Sequence, residues 1–500
     1  MNPAFCVVGS GPAGVAAAMA LARSGASVTM LDAGREIEES RTHTVARMRS
    51  RRPEDWDPAD VAQIREGVGV SARGIPLKRL YGSDFAFDTR GSGREFEYRD
   101  AGVRPSFARG GLSNVWGAGM MPFDRDDISD WPFRPEELDP GYREVLSFVP
   151  STESEELRPS RQGEALLRDA ARSKEALAAA GIAVERSRLA VRGGGCARCG
   201  LCLYGCPYGL IYNSGSTLAE LMKLANFRYE PGFVVERVEE AGARVRILGH
   251  DLKTRERREM PAGRVFLGAG TIPSTAILLE SLEERGARIR LQDSFYFLVP
   301  LLRFAGIGEL AEEPLHTLSQ VFITMRDEEV SRQLVHFSVY GFNDLTIPAL
   351  RASVGALGAV EEFYSRAMVA GGYLHSALSP GLSMTVEDGR VLLEGEDSAA
   401  AIGLARKAVS KLARQALRLR ALAVPRAVRF FPPGRGYHTG GSFPMRAERV
   451  PHTSDIDGRP HGFERVHLVD ASCLPSIPAT TITLPVMANA WRIAGRALDA

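Results

Sequence analysis

The sequence has no run of about 18 uncharged apolar residues free of glycine and proline breaks, so no segment reads as a membrane-spanning helix. It has no excess charge of one sign. Sixty-two Lys and Arg stand against 61 Asp and Glu, leaving +1, which removes the bulk-charge case for a nucleic-acid protein and leaves no polyelectrolyte tail. Six cysteines in 500 residues are too few for a disulfide scaffold of this size. No repeat with a period of about 20–50 residues and no low-complexity tract is present, which excludes solenoids and propellers. No basic leader opens the chain. A strand pattern begins almost at once, at Ala4–Val8, so the start is expected to belong to the mature fold and the protein to the cytoplasm. What is there is a chain 44% hydrophobic and 25% charged, long enough for several domains and able to bury full cores.

The first forty residues read as strand, glycine-rich turn, alanine-rich helix and second strand. In Gly9-Ser10-Gly11-Pro12-Ala13-Gly14 the first glycine permits a tight turn. The second lets backbone approach a pyrophosphate, and the third lets helix and strand pack closely. The helix N-terminus then faces the phosphates. Asp32 follows Gly9 by 23 positions (9 to 32), near the spacing of about 20 for a ribose-hydroxyl acceptor. A charged stretch from Arg35 to Glu66 predicts a helical, solvent-facing excursion. Alternation between about residues 286 and 395 predicts an antiparallel sheet, and a basic Ala/Leu helix is expected over roughly 398–423. The last fifty residues return to strand, loop and helix, so the C-terminus is expected to complete a nucleotide domain begun at the N-terminus.

Cys196, Cys199, Cys202 and Cys206, followed by Pro207, have the spacing of a bacterial ferredoxin loop. Such a loop holds [4Fe–4S], or [3Fe–4S] where three thiolates ligate. Reduced structural thiols, a disulfide pair and zinc are the alternatives. Zinc fits least, because its ligand pairs usually stand about a dozen or more residues apart. Cys6 reads as core packing, and Cys473 is given no role.

The closing segments "HTGGSFPM" (438–445) and "HLVDASCLPSIPATTITLPVMANAWRIA" (467–494) resemble the end of the glucose–methanol–choline (GMC) flavoprotein oxidoreductases. The "AGT" turn at 269–271 and "GGLSNVW" at 110–116 share the resemblance. It implies an α/β protein with a discontinuous Rossmann-like FAD-binding domain and an α+β substrate domain carrying an antiparallel sheet. FAD would be held by Gly9, Gly11, Pro12, Ala13 and Gly14 with Asp32 and Ala33. Gly110, Gly111, Ser113, Asn114 and Trp116 would lie over the flavin, with Ala269, Asp470 and Ala471 along the ribityl–pyrophosphate segment. Expected divisions are 1–120 and 216–285 for the FAD domain, closed by 431–500. The segment 121–215 connects them and carries the cysteine loop, and 286–430 forms the substrate domain.

His438 matches the family's active-site histidine, and the chemistry agrees. Removing hydride from a CH–OH carbon needs an acceptor for the hydroxyl proton, and imidazole serves near neutral pH. His452, His461 and His467 read as structural. Where the family usually has a second His or Asn before Pro, this chain has Thr481 before Ile482; its hydroxyl can donate a hydrogen bond but is no base. Val115 stands where some members carry a flavin-linked histidine, so dissociable FAD is expected. Some GMC dehydrogenases contain iron–sulfur clusters. The expected activity is therefore FAD-dependent oxidation of an alcohol, polyol or sugar-like substrate, with electrons leaving through the cysteine loop to an external acceptor protein. The alternatives are an O2-using oxidase with structural cysteines and an electron-transfer flavoprotein. Trp116 and Trp131 could stack on a sugar or pack in the core.

Overall fold

The computed structural model describes residues 5–67, 77–308, 313–341, 343 and 365–498. The strand Phe5–Val8 is hydrophobic throughout and almost wholly buried, as suits the middle of a parallel sheet covered on both faces. It pairs with Val28–Asp32 on one side and Arg264–Leu267 on the other; Phe227–Pro231 and Val466–Leu468 complete a five-stranded parallel sheet. One sheet thus draws strands from the beginning, the middle and the end of the chain, which is the discontinuous Rossmann-like arrangement. Pro12 opens the helix Pro12–Arg23, where its missing N–H costs nothing. The closing helix Thr483–Arg496 packs directly on that helix.

The 286–395 region, expected as one antiparallel sheet, forms parts of two. Arg288–Asp293 and Leu382–Gly395 join a five-stranded sheet with Glu95–Arg99 and Thr439–Gly440. Tyr296–Arg303, Ala367–Tyr373, Ser331–Tyr340 and Val321–Asp327 form the middle of a seven-stranded antiparallel sheet with Ile182–Arg186 at one edge. A three-stranded antiparallel unit over 233–262, not anticipated, packs beside the nucleotide sheet.

The long helix ends earlier than expected. It runs Ala399–Ala416, after which Arg420 turns left-handed (φ 51) and Ala421–Ala423 joins the large sheet. Its apolar stripe, including Ala405, Val409 and Leu412, packs in one cluster with Phe297, Phe337 and Val339 on the far face of that sheet. Lys411 pairs with Asp327, so the basic face is partly spent within the fold. The Arg35–Glu66 stretch is helical as expected, with helices Glu39–Arg49 and Pro58–Arg65. Among the described residues no helix is long and apolar enough to cross a membrane.

Candidate active site

Between the nucleotide sheet and the near face of the seven-stranded sheet lies a cleft of about 430 Å³. It lies within the roughly 300–1,000 Å³ of small-molecule pockets and runs from the glycine-rich turn to His438.

At the nucleotide end, Gly9 adopts φ +96, and a Cβ there would stand 2.6 Å from the Gly268 carbonyl oxygen. A Cβ on Gly14 would stand 1.9 Å from the Gly9 carbonyl oxygen, so helix and strand touch there. Gly11 is different. Its missing side chain would meet only the Gly268 oxygen, at 4.0 Å, so it leaves open space at the helix N-terminus, where a pyrophosphate would pass. Pro12, Ala13, Asp32 and Ala33 also line the cleft. Asp32 is buried, accepts from Ser10 Oγ and from Tyr229 OH at 3.0 Å, and burial raises its pKa to about 6. The site therefore fits FAD.

The remaining expected cofactor contacts divide in two. Gly111, Ser113, Trp116, Ala269 and Ala471 line the cleft. Gly14, Gly110 and Asn114 do not; they shape its wall. Gly110 takes a left-handed φ of 86 and donates its N–H to Ser10 Oγ at 2.9 Å, while Asn114 Nδ2 donates to the Arg109 and Gly111 carbonyls. Asp470 reaches the cleft, yet both its oxygens already serve protein donors: Gly270 N at 2.8 Å and Ser274 Oγ at 2.6 Å on one, Ser472 on the other. It ties the 269–271 turn to the closing segment.

At the other end stands His438. It lines the cleft, its ring face stacks on Tyr373 with centroids 4.8 Å apart, and its Nδ1 is buried without a hydrogen-bond partner. Desolvation by the surrounding protein lowers its pKa to about 4, so it is neutral and ready to accept a proton at neutral pH. Its loop is pinned on both sides by buried Asp293, which accepts from Gly434 N at 2.6 Å and from Thr439 Oγ1 at 2.8 Å. Burial raises Asp293 to about 7. Thr481 also lines the cleft, its Oγ1 accepting from Met121 N at 3.0 Å. Of the histidines read as structural, His467 stacks on Phe266 at 5.0 Å, His452 pairs with Glu284, and His461 is exposed. Trp131 is buried, with Nε1 donating to Ser476 Oγ at 2.9 Å, and packs in the core rather than the cleft.

Sequence reasoning missed the chamber beside His438. Tyr296, Tyr340, Tyr373, Tyr437, Phe87 and Phe322 line it, contributed by several strands and loops that carry no motif. It also missed Lys78, which lines the cleft and donates Nζ–H to the Trp116 carbonyl at 2.8 Å. Burial lowers Lys78 to about 8, against the pull of the neighbouring Cys202 and Cys206 thiols.

The cysteine loop does not fit the expected cluster as it stands. All four thiols are free, and among the described residues no group of three or more His, Cys, Asp or Glu side chains is gathered to hold a metal. Burial raises Cys199 to about 11 and Cys202 to about 12. What holds the loop is main chain. Tyr81 OH donates to the Cys206 carbonyl at 2.7 Å, Tyr81 N to the Tyr204 carbonyl at 2.6 Å, and Arg49 Nε to the Pro207 carbonyl at 2.9 Å.

Comparison with known proteins adds to this geometry. Residues 391–490 match the GMC oxidoreductase family, and residues 7–47 match the NAD(P)-binding Rossmann-like domain. No curated protein sequence matches the chain. Among solved structures, pyridoxine 4-oxidase from Mesorbium loti superposes with a TM-score of 0.64 at 16% identity, covering 100% of this chain and 100% of that one. At that identity the likeness is one of fold.

Proposed function

We propose that this chain, whose residues 391–490 match the GMC oxidoreductase family, is an FAD-dependent oxidoreductase that oxidises the hydroxymethyl group of a flat aromatic alcohol to the aldehyde, with His438 as base. The observation that carries the reading is the chamber itself. His438 opens into a cleft walled by Tyr296, Tyr340, Tyr373 and Phe322, whose ring faces suit stacking on a flat ring, with the tyrosine hydroxyls and Ser338 as polar groups beside them. A bound FAD would supply the acceptor for the hydride from the carbinol carbon. His438 takes the hydroxyl proton as the C–H bond breaks, and the C–O bond becomes a carbonyl. Tyr373, stacked on the imidazole, fixes the plane of that base.

For the electron acceptor we favour O2, giving one H2O2 per aldehyde. The cysteine sulfurs are not gathered to carry electrons away, so no step passes through them. The solved structure of like fold is, by its title, an oxidase acting on pyridoxine, an alcohol of this chemical class.

Anaerobic mixing of flavin-loaded enzyme with benzyl alcohol, glycerol and glucose tests the substrate class, read as bleaching of the flavin absorbance. Benzyl alcohol should bleach fastest. Faster bleaching by glycerol or glucose would restore the polyol expectation. In air, an artificial acceptor that outpaces O2 would make the enzyme a dehydrogenase.

A further inference from the structure

The chamber floor holds a second polar pair besides His438. In the antiparallel register Tyr296, Tyr373 and His336 stand in one row across three strands, and Gly371, Ser338 and Phe322 stand in the next. Residues two apart on a strand share a face, so His336 and Ser338 look the same way. Ser338 lines the cleft, and His336 lies behind it, fully buried. His336 meets Phe322 edge-on at 4.9 Å and Tyr373 at 6.2 Å, and its Nε2 stands 3.0 Å from Ser338 Oγ. Nδ1 has no hydrogen-bond partner.

Burying an imidazole among aromatic rings for one hydrogen bond is costly, and a phenyl ring would fill the space without that cost. The polar pair therefore points to use. Since a buried N–H without an acceptor is the dearer of the two ways to leave Nδ1 unpaired, we assign the proton to Nε2, which donates it to Ser338 Oγ. The serine hydroxyl hydrogen is then free to turn into the cleft.

We propose that Ser338 donates a hydrogen bond to the oxygen of the alcohol substrate, held in that direction by His336 as a positioning residue. Ser338 would thus supply, from the sheet floor, a polar contact of the kind expected at the second position that Thr481 fills. The proposal rests on the alcohol-oxidation reading and adds the group that orients the reacting oxygen toward His438. Burial, with His438 nearby, holds His336 down to about 3, so the direction of the bond does not reverse at working pH.

Two readouts on flavin-loaded enzyme test it: anaerobic flavin bleaching by benzyl alcohol, and benzaldehyde binding followed as a perturbation of the flavin spectrum. Ser338→Ala should slow bleaching at saturating alcohol by about 10- to 100-fold and weaken benzaldehyde by about 5- to 10-fold, with flavin content unchanged. His336→Phe should match it, and the double variant should be no worse than either. His336→Gln, whose amide N–H can still reach Ser338, should stay within about threefold of the unaltered enzyme.

Ser338→Ala within about twofold on both readouts overturns the proposal, as do additive effects in the double variant. So does His336→Gln as slow as His336→Phe with flavin intact. If benzyl alcohol bleaches nothing yet benzaldehyde binding depends on Ser338, the oxidation reading fails and the donor stands. If the unaltered enzyme neither bleaches nor binds, both fall.

Discussion

The glycine-rich turn at 9–14 and the cysteine loop at 196–206 carry equally regular spacings, yet only the first brings its motif residues to the work its pattern implies. The difference is what each spacing encodes. In the turn, the glycines are themselves the structure: Gly9 and Gly14 are places where backbone touches backbone, and Gly11 is the space left for a ligand. The motif succeeds as soon as strand and helix form. In the loop, the spacing sets only how the chain could curl. Whether four sulfurs meet depends on neighbours, and here Tyr81 and Arg49 hold its carbonyls while, among the described residues, its sulfurs are not gathered around a metal.

The largest effect should come from breaking the turn. Gly14→Ala places a methyl 1.9 Å from the Gly9 oxygen, a contact that cannot be relieved without parting helix from strand. The variant should be recovered without FAD or not folded at all, read by flavin absorbance and thermal denaturation. Flavin bound at normal stoichiometry would show that the turn tolerates a separation the structure does not allow. Unaltered enzyme should release its FAD on denaturation, since Val115 offers no atom to bond it.

His438 comes next. His438→Ala should keep its FAD and lose about 10²- to 10⁴-fold in alcohol-driven flavin reduction. The pH profile sharpens the point. A base must be deprotonated to act, and burial lowers this one to about 4, so activity should persist through pH 5 and fall only as pH drops through about 4. A fall centred near the ordinary 6.5 would mean a hydrated, unstacked imidazole. Asp293→Asn should cost less, about tenfold, because one of its two loop contacts is lost and the other kept. Its signature is a lower rate at unchanged flavin content.

These sites show how much of the protein the sequence disclosed. The Rossmann-like sheet, Asp32 and the His438 loop were legible because each is a local pattern with fixed geometry. The chamber was not. Tyr296, Ser338 and Tyr373 reach one surface only through strand register, and a period of two along each strand says which face a residue takes, not which strand lies beside it. Lys78 has no pattern at all; its place, with Nζ on the Trp116 carbonyl and near Cys202 and Cys206, is set by tertiary packing alone. Asp470 reaches the expected cleft, and what the sequence did not disclose is that its oxygens also serve Gly270, Ser274 and Ser472.

The smallest effect, and the sharpest test of the contrast between turn and loop, is expected at Cys206. If the loop is a main-chain brace, Cys206→Ser should change neither flavin content nor alcohol-driven reduction by more than about twofold, because the group that matters at this position is the carbonyl receiving Tyr81 OH at 2.7 Å. Tyr81→Phe should do more harm than Cys206→Ser, since it removes the donor while leaving the sulfur. The companion measurement is iron and acid-labile sulfide in protein purified without air. Less than one iron per chain agrees with sulfurs that, among the described residues, are not gathered around a metal. About four irons per chain, lost in Cys206→Ser together with transfer to an artificial acceptor, would mean that the loop rearranges around a cluster. The spacing at 196–206 would then be as faithful a guide as the glycines at 9–14.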